Sequence, residues 1–274
     1  MILAAHIRIL GVELWTGVVI LAGLWGLAIL IPQVFGRTDR GGDSAKGHAI
    51  WVEPLRWPGW AWGRYSVSRG LRKAGFEGTF EYYAWQTWWQ GLLVLPVLRG
   101  RGLVERSAAR LAEGIARRRA QAPEAPVYVL AYSAGGFVAV RAMELLPLDT
   151  KVRSLAICQA AMRANYDLSE AMLHVEAATV VTASAMDFVV LGAGTTLLSG
   201  SDGVRGPSMG WLGARHAALA GLPSERLCHI RWRAGDVVRR RLFGTHLWAL
   251  DPRFIANVLA PAMGISGFSG ERLL

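Results

Sequence analysis

The most constraining stretch of this chain is Val127-Tyr-Val-Leu-Ala-Tyr-Ser-Ala-Gly-Gly136. Pro123 and Pro126 bound it on the amino-terminal side, and four apolar, mostly β-favouring residues open it. That pattern predicts a short buried strand. The run from Phe137 to Leu146 has helical spacing and stops at Pro147. The chain therefore passes from strand to helix through a tight turn with Ser133 at its tip. Small residues at 131 and 135 let strand and helix approach closely. A hydroxyl is a poor nucleophile until it projects toward a base, and such a turn presents it. A Ser N-cap before an apolar helix produces the same pentapeptide. What distinguishes the two is whether an acid and a histidine follow at the right places.

The rest of the chain alternates strands and helices. Strands are predicted over 48–55, 78–85, 127–130, 151–158, 178–185 and 227–233, and helices over 64–75, 103–119, 137–146, 168–175 and 251–260. Gly75 is placed as a helix C-cap, and Asp251-Pro252 as a helix start. Alternation of this kind implies βαβ units and a doubly wound, mostly parallel sheet of about six strands. In such a sheet, functional residues gather in loops at the strand C-termini. Asp187 lies just past the fifth strand and His246 in the loop after the sixth. Asp236 and Asp202 compete for the acid role, but Asp187 is nearest the end of the correct strand. His6, His48, His174, His216 and His229 fall in a tail, a strand start, a helix, a helix-like segment and mid-strand; only His246 has the right place.

Small-x-Ser-x-Gly on a strand-to-helix turn, followed by Asp and then His, resembles the α/β-hydrolase family. The resemblance spans most of residues 48–260. Ala131 stands where the family usually has glycine, and the amino-terminal β-hairpin of many members is missing. The resemblance implies a serine hydrolase, esterase- or lipase-like, with Ser133 as nucleophile, His246 as base and Asp187 orienting it. The Ala134 N–H and one N–H from the loop after the first strand, at Leu55, would bind the oxyanion. No cofactor or metal is called for. An acyltransferase would use the same triad, and a non-enzymatic membrane-bound scaffold could keep the same fold. Substrate identity is not legible, because pocket shape is a tertiary property.

Leu14 to Ile31 is an uncharged run, apolar on all sides and close to the length that crosses a bilayer core. A buried core helix or a cleaved signal peptide are its rivals, but the run is long for a signal and no A-x-A-like site follows. The chain is divided accordingly into an anchor at 1–35, a polar Gly-rich linker at 36–47 and a hydrolase-like domain at 48–274. After the run come Arg37, Arg40 and Lys46; before it, Arg8 and the amino terminus. The basic bias, three against two, favours a cytoplasmic domain; a short amino-terminal tail kept inside, as in a signal-anchor, would place the domain outside.

The net charge is +10, which raises the question of nucleic acid. The basic residues are dispersed apart from Arg117–Arg119 and Arg239–Arg241, and no zinc-finger, RNP or helix-turn-helix pattern is present. Surface solubility together with attraction to anionic lipid is the better reading. The expected partners are thus an acyl substrate and membrane lipid, not nucleic acid. Cys158 and Cys228 lie on strands separated by another, which argues against a disulfide. Seven of the twelve tryptophans lie between 51 and 89, placed to line an acyl pocket, meet lipid or pack the core. Residues 90–98 and the Gly/Ser-rich stretch 191–213 are candidate lids.

Overall fold

The computed structural model describes residues 2–36, 41–56, 61–87, 90, 100–215, 224–240 and 242–265. Helix α1 (Ile2–Phe35) precedes β1 (His48–Val52), α2 (Arg64–Lys73) and β2 (Thr79–Tyr83). Helix α3 (Arg101–Gln121), β3 (Val127–Tyr132), α4 (Ala134–Glu144), β4 (Val152–Cys158), α5 (Ser169–Leu173), β5 (Val175–Ala183) and β6 (Leu227–Arg231) follow. All five strand pairings are parallel, in the order β2-β1-β3-β4-β5-β6. The fold is α/β-hydrolase-like and doubly wound.

The sheet is covered on both faces, so its central strands are apolar on both sides. Every residue of β3 is buried. Ile50, Val52 and Val129 face a core built with Leu111 and Ile115 of α3 and Val138 of α4. Ala49, Trp51 and Leu130 alternate to the other face. There they meet Val67 and Leu71 of α2 and Phe254, Ile255 and Leu259 of the carboxy-terminal helical turns.

Helix α2 ends where the sequence indicated. Gly75 has φ +87°, its N–H reaches the Arg72 carbonyl, and the Phe76 N–H reaches that of Leu71. That is the Schellman arrangement, which requires a left-handed residue at this position. Asp251 caps the last helical segment by accepting from the Arg253 N–H at 2.7 Å.

One expectation needs correction and two gain detail. The segment read as a helix over 168–175 is helical only to Leu173, because β5 already begins at Val175. The Gly/Ser-rich stretch 191–213 contains helical turns. A π-helical turn (Phe188–Gly194) runs into Thr195–Leu197, and Met209–Leu212 forms a further turn. The π-helical turn packs Leu191 into the interior, which a glycine count does not reveal. Among the clustered tryptophans, Trp51 and Trp85 are fully buried and Trp62 is partly so, so these three pack the core. Trp57, Trp60, Trp88 and Trp89, and almost all of 90–98, lie outside the described residues.

Helix α1 carries one stretch, Trp15–Pro32, long and apolar enough to cross a membrane, with 6% of it buried. A core helix would be mostly buried. Its carboxy-terminal half nonetheless packs on the rest of the fold. The Trp25 ring lies 5.6 Å from that of Phe243, and Ile29 is buried with the α2 side of the core.

Candidate active site

The turn between β3 and α4 sets the site. Ser133 has φ 51° and ψ −121°, a left-handed backbone uncommon for any residue but glycine and costing on the order of 1–3 kcal/mol. The turn is held on both sides. The Ser133 N–H donates to the Cys158 carbonyl at 2.9 Å, and the Ser133 carbonyl accepts from Ala161 at 3.1 Å and Gly136 at 3.0 Å. Ser133 makes no side-chain cap bond to α4. Its hydroxyl is instead hydrogen-bonded to His246 Nε2 at 3.2 Å, so the N-cap reading of the pentapeptide fails.

Gly135 shows why the residue two after the serine is glycine. A Cβ there would lie 2.2 Å from the Glu53 carbonyl oxygen and 2.8 Å from that of Val52. The amino-terminal turn of α4 therefore abuts the carboxy-terminal end of β1. Ala134 is the first residue of α4, so its N–H has no partner one turn earlier in the helix and lies at the positive end of the helix dipole. Leu55 lies at the same sheet edge, two residues past Glu53, packed against the α3–α4 core.

His246 lies in the loop after β6. Its Nδ1 donates to Asp187 Oδ2 at 2.6 Å. With the proton on Nδ1, Nε2 presents its lone pair to the serine hydroxyl; the network fixes this tautomer. The loop is braced from the neighbouring strands. The Tyr132 hydroxyl donates to the His246 carbonyl, the Tyr132 and His246 rings are 5.1 Å apart, and Ser184 Oγ donates to the Gly244 carbonyl at 2.5 Å. Complete burial, then the nearby Asp187 and Cys158, hold the Tyr132 hydroxyl well above its ordinary range, so it stays a neutral donor.

Asp187 is buried and follows β5 by four residues. Its Oδ2 also accepts from Gln159 Nε2 at 2.9 Å. Gln159 is itself fixed. Its backbone N–H donates to Thr182 Oγ1 at 3.1 Å, and the Thr182 hydroxyl donates to its Oε1 at 3.2 Å. Gln159 has φ 45°, so the strand end beside that of Ser133 is left-handed as well. Sequence reasoning passed over Gln159 and Thr182. The pairing of Cys158 with Thr182 across β4 and β5 brings them together, and only strand register could have revealed it.

The competing acids are engaged elsewhere. Asp236 Oδ2 accepts from the Arg233 N–H at 2.8 Å, and Asp202 Oδ2 from the Arg163 N–H at 3.2 Å. His174 bonds the Thr150 carbonyl, His48 bonds Thr79 and Glu81, and His216 lies outside the described residues. Cys158 is buried and its thiol is pushed up to about 12 by desolvation, which keeps it unreactive. Among the described residues, no cluster of three or more His, Cys, Asp or Glu side chains could hold a metal.

One further group is notable. Glu53, at the end of β1, is fully buried, and neither carboxylate oxygen has a hydrogen-bond partner. Burial pushes its acid up to about 8, against the opposing pull of Arg56 and Arg64.

No protein-family model matches the sequence, and no curated protein matches it. Among solved structures, the esterase PE8 is similar at 15% identity and a TM-score of 0.40, covering 70% of this chain and 87% of that one. A Trichoderma reesei cutinase in complex with a phosphonate inhibitor is similar at 12% identity and a TM-score of 0.39, covering 85% and 84%.

Proposed function

We propose that this chain is a membrane-anchored serine hydrolase that cleaves a carboxylic ester or thioester through an acyl-enzyme. The observation that carries the reading is the continuous relay from Ser133 Oγ to His246 Nε2, and from His246 Nδ1 to Asp187 Oδ2. His246 takes the hydroxyl proton as Ser133 Oγ bonds to the acyl carbon. The carbonyl oxygen becomes an oxyanion, received by the Ala134 N–H with Leu55 as the source of the second donor. The imidazolium, stabilised by Asp187, returns the proton to the leaving alcohol or thiol as the tetrahedral centre collapses. Water then repeats the sequence in reverse on the acyl-enzyme. An alcohol in place of water would make the same site an acyltransferase.

Residues 1–35 are assigned to the anchor, 36–47 to the linker and 48–274 to the hydrolase domain. Support for the anchor is the apolar length of Trp15–Pro32 and its small buried share. The basic residues after it favour a domain on the cytoplasmic side.

Fluorophosphonate labelling tests the nucleophile. Wild-type protein should label and Ser133→Ala should not, while keeping its thermal unfolding transition. Undiminished labelling of the variant would overturn the assignment. The full chain should also stay with membranes through a carbonate wash, and its recovery in the soluble fraction would remove the anchor.

A further inference from the structure

The described residues carry an apolar surface that neither the core nor the catalytic relay uses. Outside α1, ten large hydrophobic side chains are exposed, and six of them fall between 186 and 198: Met186, Phe188, Val189, Val190, Leu197 and Leu198. Single exposed apolar residues are ordinary, but a concentration of this kind marks a contact surface. Val189 is 75% exposed and Leu197 69%, so the stretch is not a slightly loosened piece of core. Phe188 packs its ring edge on Trp211, 5.8 Å away, which fixes the base of the surface.

Its position relative to α1 identifies the partner. The surface begins one residue from Asp187, and the contact with α1 begins one residue from His246. A Cβ on Gly26 would stand 3.9 Å from Leu247 Cδ1, and Trp25 packs on Phe243. The 2.6 Å bond between Asp187 and His246 thus joins the two apolar surfaces. Trp25 lies seven residues before the end of the Trp15–Pro32 stretch, about 10 Å along a helix. If that stretch spans the bilayer, the residues touching Trp25 and Gly26 sit below its surface. The histidine loop is then partly immersed, at a depth of about 5–10 Å typical of interfacial segments. The helix leading into this loop, Gly235–Arg240, exposes Arg239, Arg240 and Val238, a basic edge suited to anionic headgroups.

Resting on the anchored-hydrolase reading above, we propose that the 186–198 surface is a second membrane contact. The catalytic centre then lies at the bilayer surface between it and α1, and takes ester substrate from the lipid phase rather than from water. A second copy of this chain is the other occupant such a surface could have. Continuity with the membrane-crossing helix, and the basic edge beside it, favour lipid.

Depth-dependent quenching tests this. The full chain, with Cys228→Ser to remove the accessible thiol, is reconstituted in phosphatidylcholine vesicles containing phosphatidylglycerol. An environment-sensitive fluorophore is attached at Val189→Cys or, as a control, at Leu148→Cys, which is 85% exposed in the α4–β4 loop. Bromine on the lipid acyl chains should quench the probe at 189 and leave that at 148 unaffected. Equal emission from the two positions would overturn the proposal. So would a detergent-solubilised dimer that Val189→Asp with Leu197→Glu splits into monomers, which would assign the surface to a second copy. The same double substitution should slow hydrolysis of a long-chain ester carried in the vesicles by about tenfold or more, from the apolar burial it removes. Hydrolysis of a water-soluble acetate ester should be unchanged. The quenching needs no turnover, so an inactive Ser133 would sink the hydrolase reading, and substrate entry from lipid with it, while the membrane contact would stand or fall on the quenching alone. Recovery of the chain in the soluble fraction would sink the anchor and this contact together.

Discussion

Asp187→Asn should lower kcat by about a thousandfold, and the size of the loss follows from how Gln159 is held. Asp187 Oδ2 accepts from His246 Nδ1 and from Gln159 Nε2. The Thr182 hydroxyl donates to Gln159 Oε1, so the Gln159 amide must present its NH2 to position 187. An asparagine there turns its oxygen toward both donors, because the flipped amide would set one NH2 against another. The histidine therefore keeps its tautomer, and what disappears is the carboxylate charge. An imidazolium and a carboxylate about 4 Å apart attract by about 4 kcal/mol at an effective dielectric of about 20. Lost from the transition state, that is about a thousandfold in rate, short of the roughly 10⁴ that accompanies a wrong tautomer. Adding Gln159→Leu frees the asparagine to flip and should slow the enzyme by about a further tenfold. The assay is kcat on p-nitrophenyl butyrate, with the rate of phosphonate labelling as a check that is independent of deacylation. An Asp187→Asn enzyme within tenfold of wild type would refute the electrostatic role. A double variant no slower than the single would refute the role given to Gln159.

Gly135→Ala forces a Cβ against two backbone carbonyls, which cannot yield as a flexible side chain does. It should cost more than about 3 kcal/mol in thermal unfolding, and a fully stable variant would show that β1 and α4 are not in close contact. Gly114→Ala in α3 meets only Arg118 Nη1 at 3.4 Å and should stabilise by about 0.4–1 kcal/mol. For Glu53, the folded-state value of about 8 lies above the ordinary 4.5. The folded state then holds a proton the unfolded chain has released, and stability falls as pH rises from 4.5 to about 8, by at most about 1.4 kcal/mol per unit. Glu53→Gln should flatten that slope in denaturant titrations across the window, and an unchanged slope would exclude Glu53 as its source. Asp236→Asn, which loses only local partners, should leave kcat within about twofold; a large fall would move the acid role to it.

The elbow was readable because it is local. Ten consecutive residues carry the strand, the turn and the start of the helix, and small residues at 131 and 135 report the close approach. Gly75 and Asp251 were readable for the same reason, since a cap depends on neighbours in the chain. Gln159 was not, because its partners Thr182 and Asp187 come from the next strand and the segment after it. Nothing near residue 159 announces them. The 188–194 turn was hidden by its glycines, which suggest a loop until Leu191 is seen to be buried. The docking of Trp25 on Phe243 joins positions more than two hundred residues apart; periodicity reports that α1 is apolar, not what it rests on.

That last contact has a consequence for the order in which the molecule comes into being. Helix α1 is synthesised before the domain, whereas Phe243 and Leu247, against which it packs, emerge after all six strands. His246 follows Ser133 by 113 residues. On the proposed relay, a growing chain therefore carries Ser133 through much of its synthesis with no histidine to activate it. The closing of this long loop adds little entropic cost beyond that of a shorter one, since the cost grows only with the logarithm of length. What it adds is timing: the histidine loop settles against a helix already in place, so on the proposed relay the serine becomes reactive only after all six strands have been made. Stalled nascent chains ending before β6 should resist phosphonate labelling, while those extending past Ile265 should accept it.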